Sequence, residues 1–458
     1  MKPYPIILAA GQGTRMRSNL PKVLHPIGAK AMLQHVIDAC RDLKGERMAV
    51  IYGHGGDQVK TTITDTDIQW VEQVEQKGTG HAVAQAAGHI QDDDDVVIAY
   101  GDVPLIRAET LHSLASALQN ADLVVLTTQL SKPFGYGRIV RNDDGKVQKI
   151  VEEKDADDEI RKIQEVNTGF IAAKGKKLKT WLDAITPNNA QGEYYLTDCV
   201  ELAVAENAVV DAVICENPME VQGVNNRMQQ AELERAYQWQ QVQALMVEGV
   251  TMMDPTRVDI RGTMTVGKDV VIDVNNVFIG DVTLGDNVVI EPGCIIENAV
   301  IGANTRVKAN SVLESSAIGQ DCDIGPFARL RPNTVLHDKA KVGNFVEIKK
   351  STVGSGSKVN HLSYVGDTNM GSGVNIGAGT ITCNYDGANK HQTVIGDNVF
   401  VGSCTQMVAP VEVGSGSTIG AGSTITKNTQ AGSLTVARAK QITIKDWVRP
   451  IKTQSGDE

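Results

Sequence analysis

From residue 266 onward an aliphatic residue followed by glycine recurs: Val266-Gly267, Leu284-Gly285, Ile301-Gly302, Ile318-Gly319, Ile324-Gly325, Val342-Gly343, Val353-Gly354, and on through Met370-Gly371, Ile376-Gly377, Ile395-Gly396, Val401-Gly402, Val413-Gly414 and Ile419-Gly420. Most intervals fall near multiples of six, and a hexapeptide period sustained over this length reads as a parallel β-helix. Three hexads make one triangular coil, with the aliphatic residue pointing into the prism and the glycine helping to turn the corner. At about 4.8 Å between stacked strands, about nine or ten coils make a rod about 45 Å long. Aromatic residues are only 4% of the chain, which suits a slender core of Ile, Val and Ala. The period predicts the β-helix but not its hand.

The first half has a different rhythm. Strand-like runs at 48–52, 96–100 and 123–127 alternate with helical stretches at 32–43, 80–88 and 111–118, which implies an α/β unit with a largely parallel sheet flanked by helices. Residues 229–247 are polar, Gln-rich and free of Gly and Pro, so they read as a connecting helix. At the start, Ile6-Ile7-Leu8-Ala9-Ala10-Gly11-Gln12-Gly13-Thr14-Arg15-Met16 runs an apolar strand into glycines, with Pro21-Lys22 behind it. Glycines there let backbone N–H groups approach phosphate oxygens, a helix is expected to follow, and Arg15 and Lys22 supply positive charge. A lone Gly-x-Gly is equally compatible with a plain strand-to-helix turn; the added Thr-Arg-Met and Pro-Lys favour a nucleoside triphosphate. The loop has no Gly-Lys-Ser/Thr ending and no G-x-G-x-x-G, so neither a Walker loop nor a dinucleotide fingerprint is expected. In sheets of this kind ligands bind outside the carboxyl ends of the strands, where Gly11 and Asp102 should both lie.

Composition narrows the classes further. The 458 residues suggest two or three domains, and 44 Lys and Arg against 55 Asp and Glu give a formal net charge of -11. That balance argues against nucleic acid as a partner. No apolar run approaches the roughly 20 residues of a membrane span and no secretory leader is evident, so a cytoplasmic protein without a membrane partner is expected. The seven cysteines include no C-x-x-C pair and read as reduced thiols.

Two places interrupt the hexads. Residues 375–390 delay the next repeat glycine to Gly396, so a loop should project there. Upstream, Arg329-Leu-Arg331, Glu347-Ile-Lys349-Lys350 and His361-Leu-Ser-Tyr364 place cations, an imidazole and a phenol on nearby coils. A solitary histidine on a β-helix is usually solvated surface; Arg331, Lys349 and Tyr364 around it favour a site for an anionic substrate.

The L-A-A-G-x-G-T-R-M…P-K stretch resembles the signature of the sugar-nucleotide pyrophosphorylases, and the repeat resembles the hexapeptide acyltransferases, from which a left-handed prism is expected. Joined in this order, the halves resemble the family of bacterial bifunctional enzymes that are both glucosamine-1-phosphate N-acetyltransferase and N-acetylglucosamine-1-phosphate uridylyltransferase. The likeness runs from Leu8 to Trp447 and is most specific at Gly-Thr-Gly-His81, Tyr100-Gly101-Asp102-Val-Pro, Gly-Tyr-Gly137-Arg, Val-Glu152-Glu-Lys-Asp, Asn167-Thr-Gly, Gln-Gly-Glu-Tyr-Tyr-Leu-Thr-Asp198, Gly-Val-Asn225-Asn-Arg and Gly-Thr-Ile-Thr-Cys-Asn384-Tyr-Asp-Gly-Ala-Asn-Lys390. It implies a pyrophosphorylase domain at 1–228, a linker helix at 229–249 and an acetyltransferase β-helix with its tail at 250–458.

For the first domain the resemblance implies that Leu8, Ala9, Ala10, Gly11 and Lys22 hold the nucleotide, Gln73, Gly78 and Thr79 recognise uracil, and Tyr100, Gly101, Gly137, Glu152 and Asn167 complete the sugar-nucleotide site. Asp102 and Asn225 match ligands of Mg2+, and Arg15 and Lys22 would offset charge during transfer from UTP to N-acetylglucosamine-1-phosphate, with pyrophosphate expelled. Asp102 by itself is also compatible with a turn aspartate before Val-Pro. For the second domain it implies glucosamine-1-phosphate on Arg331, Lys349, Tyr364, Asn375 and Lys390, His361 as general base, and acetyl-CoA on Ala378, Asn384, Tyr385, Ser403, Ala421 and Arg438. A homotrimer with composite sites is implied, Lys390 reaching a neighbouring subunit's sugar phosphate, as is a product, UDP-N-acetylglucosamine, that feeds peptidoglycan and lipopolysaccharide synthesis. The chain departs from the family at Glu153, where relatives commonly carry His, at Asn360, where a smaller residue is common, and in a C-terminal tail without a basic ending. Two other readings stay open: a single-activity glucose-1-phosphate nucleotidylyltransferase with a regulatory β-helix, and a non-catalytic assembly protein. His361 with the 375–390 loop weighs against the first, and Gly11, Arg15, Lys22, Asp102 and Asn225 together against the second.

Overall fold

The computed structural model describes residues 2–53 and 55–451; the rest of the tail, whose docking the sequence leaves open, lies outside the described residues. The chain divides into two compact units, residues 1–241 and 242–458. The expected connecting helix is Arg227–Val247, and the division falls within it.

In the first unit the sheet runs in the order Val210–Ile214, Leu123–Gln129, Glu165–Lys174, Asp95–Tyr100, Pro3–Ala9, Met48–Tyr52, Ile68–Glu72. Neighbours along it are parallel except around Glu165–Lys174, which is antiparallel on both sides and also carries the hairpin Arg138–Arg141 with Val147–Val151. The middle strands read as unbroken apolar runs because both faces are covered. Along Pro3–Ala9, Ile7 and Ala9 enter one core while Tyr4, Ile6 and Leu8 enter the other, as a two-residue side-chain period requires. Helices Met32–Arg41, Thr79–Gln85 and Ala108–Ala117 form where the apolar spacing places them.

One expectation fails. No α-helix follows the glycine loop; Thr14–Met16 and Lys22–Leu24 are single 3-10 turns, and the first α-helix begins only at Met32. Gly13 and Arg17 flank the first turn at φ 61° and 49°, and Pro21 precedes the second. Left-handed residues and a proline prevent the run of right-handed dihedrals a helix needs. A phosphate here would meet loop N–H groups and side-chain cations, with no helix dipole behind them.

The second unit is a parallel β-helix. Residues pair with those 17 or 18 further on, Val271 with Val289, Val289 with Arg306, Arg306 with Asp323 and Asp323 with Lys341. One face is a ladder of 11 strands, and a 17-stranded sheet supplies the others. Its interior is a column of Val, Ile and Leu. The glycines do a different job from the one expected. Gly302 has an ordinary φ, and a Cβ on it would lie 2.6 Å from the backbone carbon of Gly319 in the next coil, while the left-handed corner falls two residues later, at Asn304 with φ 58°. The repeat is thus aliphatic, Gly for close coil approach, any residue, then Asn, Asp or Gly for the corner, as in Leu284-Gly-Asp-Asn287, Ile318-Gly-Gln-Asp321 and Val353-Gly-Ser-Gly356. Gly302→Ala should destabilise the unit by about 1–3 kcal/mol through overpacking. Asn304→Gly tolerates the corner and gives up only exposed hydrogen bonds to Asn287 and Asp321, about 1 kcal/mol. Thermal unfolding of the two variants should rank them in that order.

Coil spacing jumps from 17 residues between Lys358 and Asn375 to 25 between Asn375 and Phe400, which extrudes the expected loop. Tyr385 and Lys390 pair across it, and Asp386 pins it by accepting from the N–H groups of Ala388 and Asn389 and from His391 Nε2.

Candidate functional site

Strands Pro3–Ala9 and Asp95–Tyr100 lie side by side in parallel, with Leu8 opposite Tyr100, so Gly11 and Asp102 leave the sheet together at its carboxyl edge. A cavity of about 240 Å³ opens there, lined by Leu8, Ala9, Ala10, Gly11, Lys22, Gln73, Gly78, Thr79, Tyr100 and Asp102 among others. Ten residues assigned from sequence to the sugar-nucleotide and its magnesium thus share one cavity. A Cβ on Gly11 would meet nothing within 4 Å, whereas one on Gly13 would lie 2.6 Å from Lys22 Cβ; Gly11 leaves space for a ligand and Gly13 lets Lys22 close in.

A second cavity, about 460 Å³, is lined by Arg15, Tyr100, Asp102, Phe134, Tyr136, Thr168 and Asn225 among others. Tyr100 and Asp102 belong to both cavities. At this junction the Lys22 ammonium is paired with the Asp102 carboxylate and lies 3.5 Å from Asn225 Oδ1, which also accepts from Arg15 at 3.0 Å. Two hard oxygens from separate loops therefore converge on one positive charge. A carboxylate and an amide carbonyl arranged this way suit a magnesium ion whose octahedron phosphate and water complete. Among the described residues no group of three or more His, Cys, Asp or Glu is gathered to hold a metal by protein ligands alone.

Gly137, Glu152 and Asn167 come together as a separate group. Asn167 N–H donates to the Gly137 carbonyl at 2.8 Å, and a Cβ on Gly137 would stand 3.3 Å from Glu152 Oε1. Burial pushes the Glu152 carboxyl above the ordinary range while the Thr197 hydroxyl, donating over 3.3 Å, pulls it back. Asp198 is pushed up to about 6 by burial, with Glu201 and Glu152 adding to it. Glu153, the departure noted above, ties down Arg138 at 2.8 Å and the Gly135 N–H at 3.1 Å, so the group it carries is used by the fold.

On the β-helix the coil period brings the second set together. Asn344 lies beside His361 in register, and His361 Nδ1–H donates to Asn344 Oδ1 at 2.9 Å, which leaves the ring's lone pair on Nε2. Glu347 lies beside Tyr364 in register and accepts from Arg331 at 2.8 Å, which raises the guanidinium pKa. Lys349 is held below the usual ammonium range by Lys390, with Arg331 adding to the effect. Crowded cations of this kind are a ready anion site. Asn375 lies one coil on from Lys358. Asn384 Nδ2 donates to Asp367 at 2.5 Å, and Tyr385 is exposed on the projecting loop. Ala378, Ser403 and Ala421 each follow a repeat glycine, and these glycines stack so closely that a Cβ on Gly377 would touch Ser403 N and one on Gly402 Ala421 N. Arg438 closes the column by donating to the Ala421 carbonyl at 2.8 Å.

Asn344 and Asp367, which hold His361 and Asn384 in place, escape motif reading, whereas Glu347 and Thr197 lie inside the motifs but were given no role. Asn344 and Asp367 lie one coil, 17 residues, before His361 and Asn384, so the repeat period itself is the signal that finds them.

A phosphate-loop sheet with two cavities meeting at an Asp–Lys–Asn junction, followed in the same chain by a hexapeptide β-helix bearing an oriented imidazole, defines a two-site transferase. Residues 5–164 match the MobA-like NTP transferase domain family, residues 257–344 the GMPPB C-terminal domain family and residues 392–427 the bacterial transferase hexapeptide family. The bifunctional protein GlmU of Marinobacter nauticus is 56% identical over 449 residues, covering 98% of this chain and 99% of that protein. A crystal structure of UDP-glucose pyrophosphorylase complexed with UDP-glucose aligns with a TM-score of 0.43 at 17% identity, over 52% of this chain and 98% of that one. The chain belongs to the bifunctional GlmU family. It is a uridylyltransferase and an acetyltransferase, and together these activities make UDP-N-acetylglucosamine. Among the described residues no helix is long and apolar enough to cross a membrane.

Proposed function

We propose that residues 1–228 hold UTP in the smaller cavity and N-acetylglucosamine-1-phosphate beside it, and that residues 250–458 carry acetyl transfer to glucosamine-1-phosphate, with the helical stretch 229–249 between them. The observation that carries the first assignment is the shared wall at Tyr100 and Asp102, which lets a nucleotide in one cavity meet a phosphate in the other. A phosphate oxygen of the sugar attacks the α-phosphorus of UTP in line, and the bond to the β-phosphate breaks, releasing pyrophosphate. Lys22 and Arg15 bind the phosphates and offset the charge spreading over them, while Gln73, Gly78 and Thr79 take the base and Gly137, Glu152 and Asn167 the sugar. Asp102 and Asn225 would hold Mg2+, which when bound supplies charge neutralisation to the phosphates.

In the second unit Arg331, Lys349 and Lys390 bind the sugar phosphate beside Tyr364 and Asn375. His361 Nε2 takes a proton from the substrate amine, the amine nitrogen bonds to the thioester carbonyl carbon of acetyl-CoA, and the C–S bond breaks to release the thiol. Ala378, Asn384, Tyr385, Ser403, Ala421 and Arg438 form the acetyl-CoA contact, completed in a cytoplasmic homotrimer by a neighbouring copy. Mass spectrometry after incubation with glucosamine-1-phosphate, acetyl-CoA, UTP and magnesium tests the whole reading. UDP-N-acetylglucosamine should form only with all four present, and its formation without acetyl-CoA, or its absence with all four, would overturn it.

A further inference from the structure

Gln73 follows the strand Ile68–Glu72, is 3% exposed, and lines the smaller cavity. Its amide nitrogen lies 3.2 Å from the carbonyl oxygen of Gly78 and 3.0 Å from Nδ1 of His81. A primary amide has two protons on nitrogen, and here each has an acceptor, so the nitrogen has nothing left to donate to a ligand. Turned end for end, the amide would press Oε1 against the Gly78 carbonyl with no proton between two buried acceptors, an arrangement that costs the desolvation of both. The side chain is therefore held with Oε1 as the end it offers to the cavity.

His81 makes that orientation complete only in one form. Its Nδ1 must be the acceptor, which puts the ring proton on Nε2. Gln85, exposed on the same helix Thr79–Gln85, has its amide nitrogen 3.2 Å from Nε2. Two donors cannot both be accepted by one neutral imidazole, so one amide must turn. Gln85 also bonds the His81 carbonyl at 3.1 Å, but it is exposed, so water replaces that bond when its oxygen turns to Nε2–H, whereas buried Gln73 has no water to replace its bond to Gly78. The turn beneath is tied to the chain around Tyr194: Tyr194 N–H donates to the Lys77 carbonyl at 2.8 Å, Gly80 N–H donates to the Tyr194 carbonyl at 2.9 Å, and the His81 and Tyr194 ring centroids lie 6.3 Å apart.

We infer that His81 is a specificity-positioning residue: by accepting one proton of Gln73 Nε2 it fixes the amide so that only an acceptor faces the base, which selects a pyrimidine carrying a ring N–H over one whose ring nitrogen is itself an acceptor. The inference rests on the reading of the smaller cavity as the nucleotide site. Uracil offers that N–H, and cytosine presents a lone pair at the same place and is repelled. Without His81 the turned amide forfeits one anchor instead of two, so the penalty for presenting its NH₂ group to cytosine falls.

The test compares kcat/KM for UTP and CTP, with N-acetylglucosamine-1-phosphate as the second substrate, in His81→Leu, His81→Asn and Gln73→Ala. His81→Leu should lower the UTP-over-CTP ratio by about 10-fold, through a higher KM for UTP, with kcat and the KM for the sugar phosphate unchanged. His81→Asn, whose Oδ1 can stand near the site of Nδ1, should restore the ratio. An unchanged ratio in His81→Leu, with the ratio collapsed in Gln73→Ala, overturns the inference and spares the nucleotide reading. An unchanged ratio in Gln73→Ala overturns that reading itself. Equal losses in kcat for His81→Leu and His81→Asn, with no change in the ratio, would make His81 merely structural and also overturn the inference.

Discussion

Asp102→Ala is expected to lower uridylyl transfer on the order of 10³-fold, the size of effect that follows removal of one preorganised electrostatic contact to a charged transition state, while acetyl transfer by the same preparation stays within about twofold. Three things are lost at once. The carboxylate is one of the two oxygens suited to magnesium, it is the partner of Lys22, and it forms part of the wall between the two cavities. Asp102→Asn separates these roles, since it keeps shape and an oxygen donor but removes the charge, and it should fall between the wild type and Asp102→Ala. Chelation of magnesium should silence the same reaction and leave acetyl transfer running. Separate assays with preformed N-acetylglucosamine-1-phosphate and with glucosamine-1-phosphate plus acetyl-CoA check this. Parallel loss of both activities in a folded protein would break the assignment of one chemistry to each unit.

How far the sequence alone reached depends on which kind of regularity each part of the molecule obeys. The β-helix was legible because one coil repeats another, and the period that places Ile301 over Ile318 also places Asn344 beside His361. The sheet of the first unit was legible from its apolar runs, but the antiparallel insertion of Glu165–Lys174 was not, because a strand buried on both faces looks the same in either direction. The expected helix after Gly13 failed for a local reason, left-handed dihedrals at Gly13 and Arg17, which leave no trace in hydrophobic spacing. Motif reading named the residues with chemistry on them, Lys22, Asp102, Asn225 and His361. It missed Asn344, the partner of His361 one coil away, because an amide carries no motif of its own, and it named His81 and Thr197 only as members of motifs, without the contacts to Gln73 and Glu152 that give them a role.

His361→Ala should cut acetyltransferase turnover by about 10²-fold to 10⁴-fold, the range for a lost general base, with little change in KM for glucosamine-1-phosphate. The substrate's phosphate is assigned to Arg331, Lys349 and Lys390, and Arg331 is braced by Glu347 and not by the imidazole. Arg331→Ala should therefore show the opposite pattern, a large rise in KM. What the imidazole depends on is Asn344, whose Oδ1 accepts from Nδ1–H and so keeps the lone pair on Nε2. Loss of that single bond should be milder than loss of the ring. Asn344→Ala is expected to reduce turnover about 5-fold, in line with one hydrogen bond of about 1 kcal/mol, and Asn344→Asp, which still accepts from Nδ1–H, should recover most of it. Measuring kcat and KM for the four variants, with uridylyl transfer as an internal control for folding, separates the two roles. Near-normal turnover in folded His361→Ala would return this histidine to an ordinary surface residue, and the crowded cations beside it would then mark a binding site without a base.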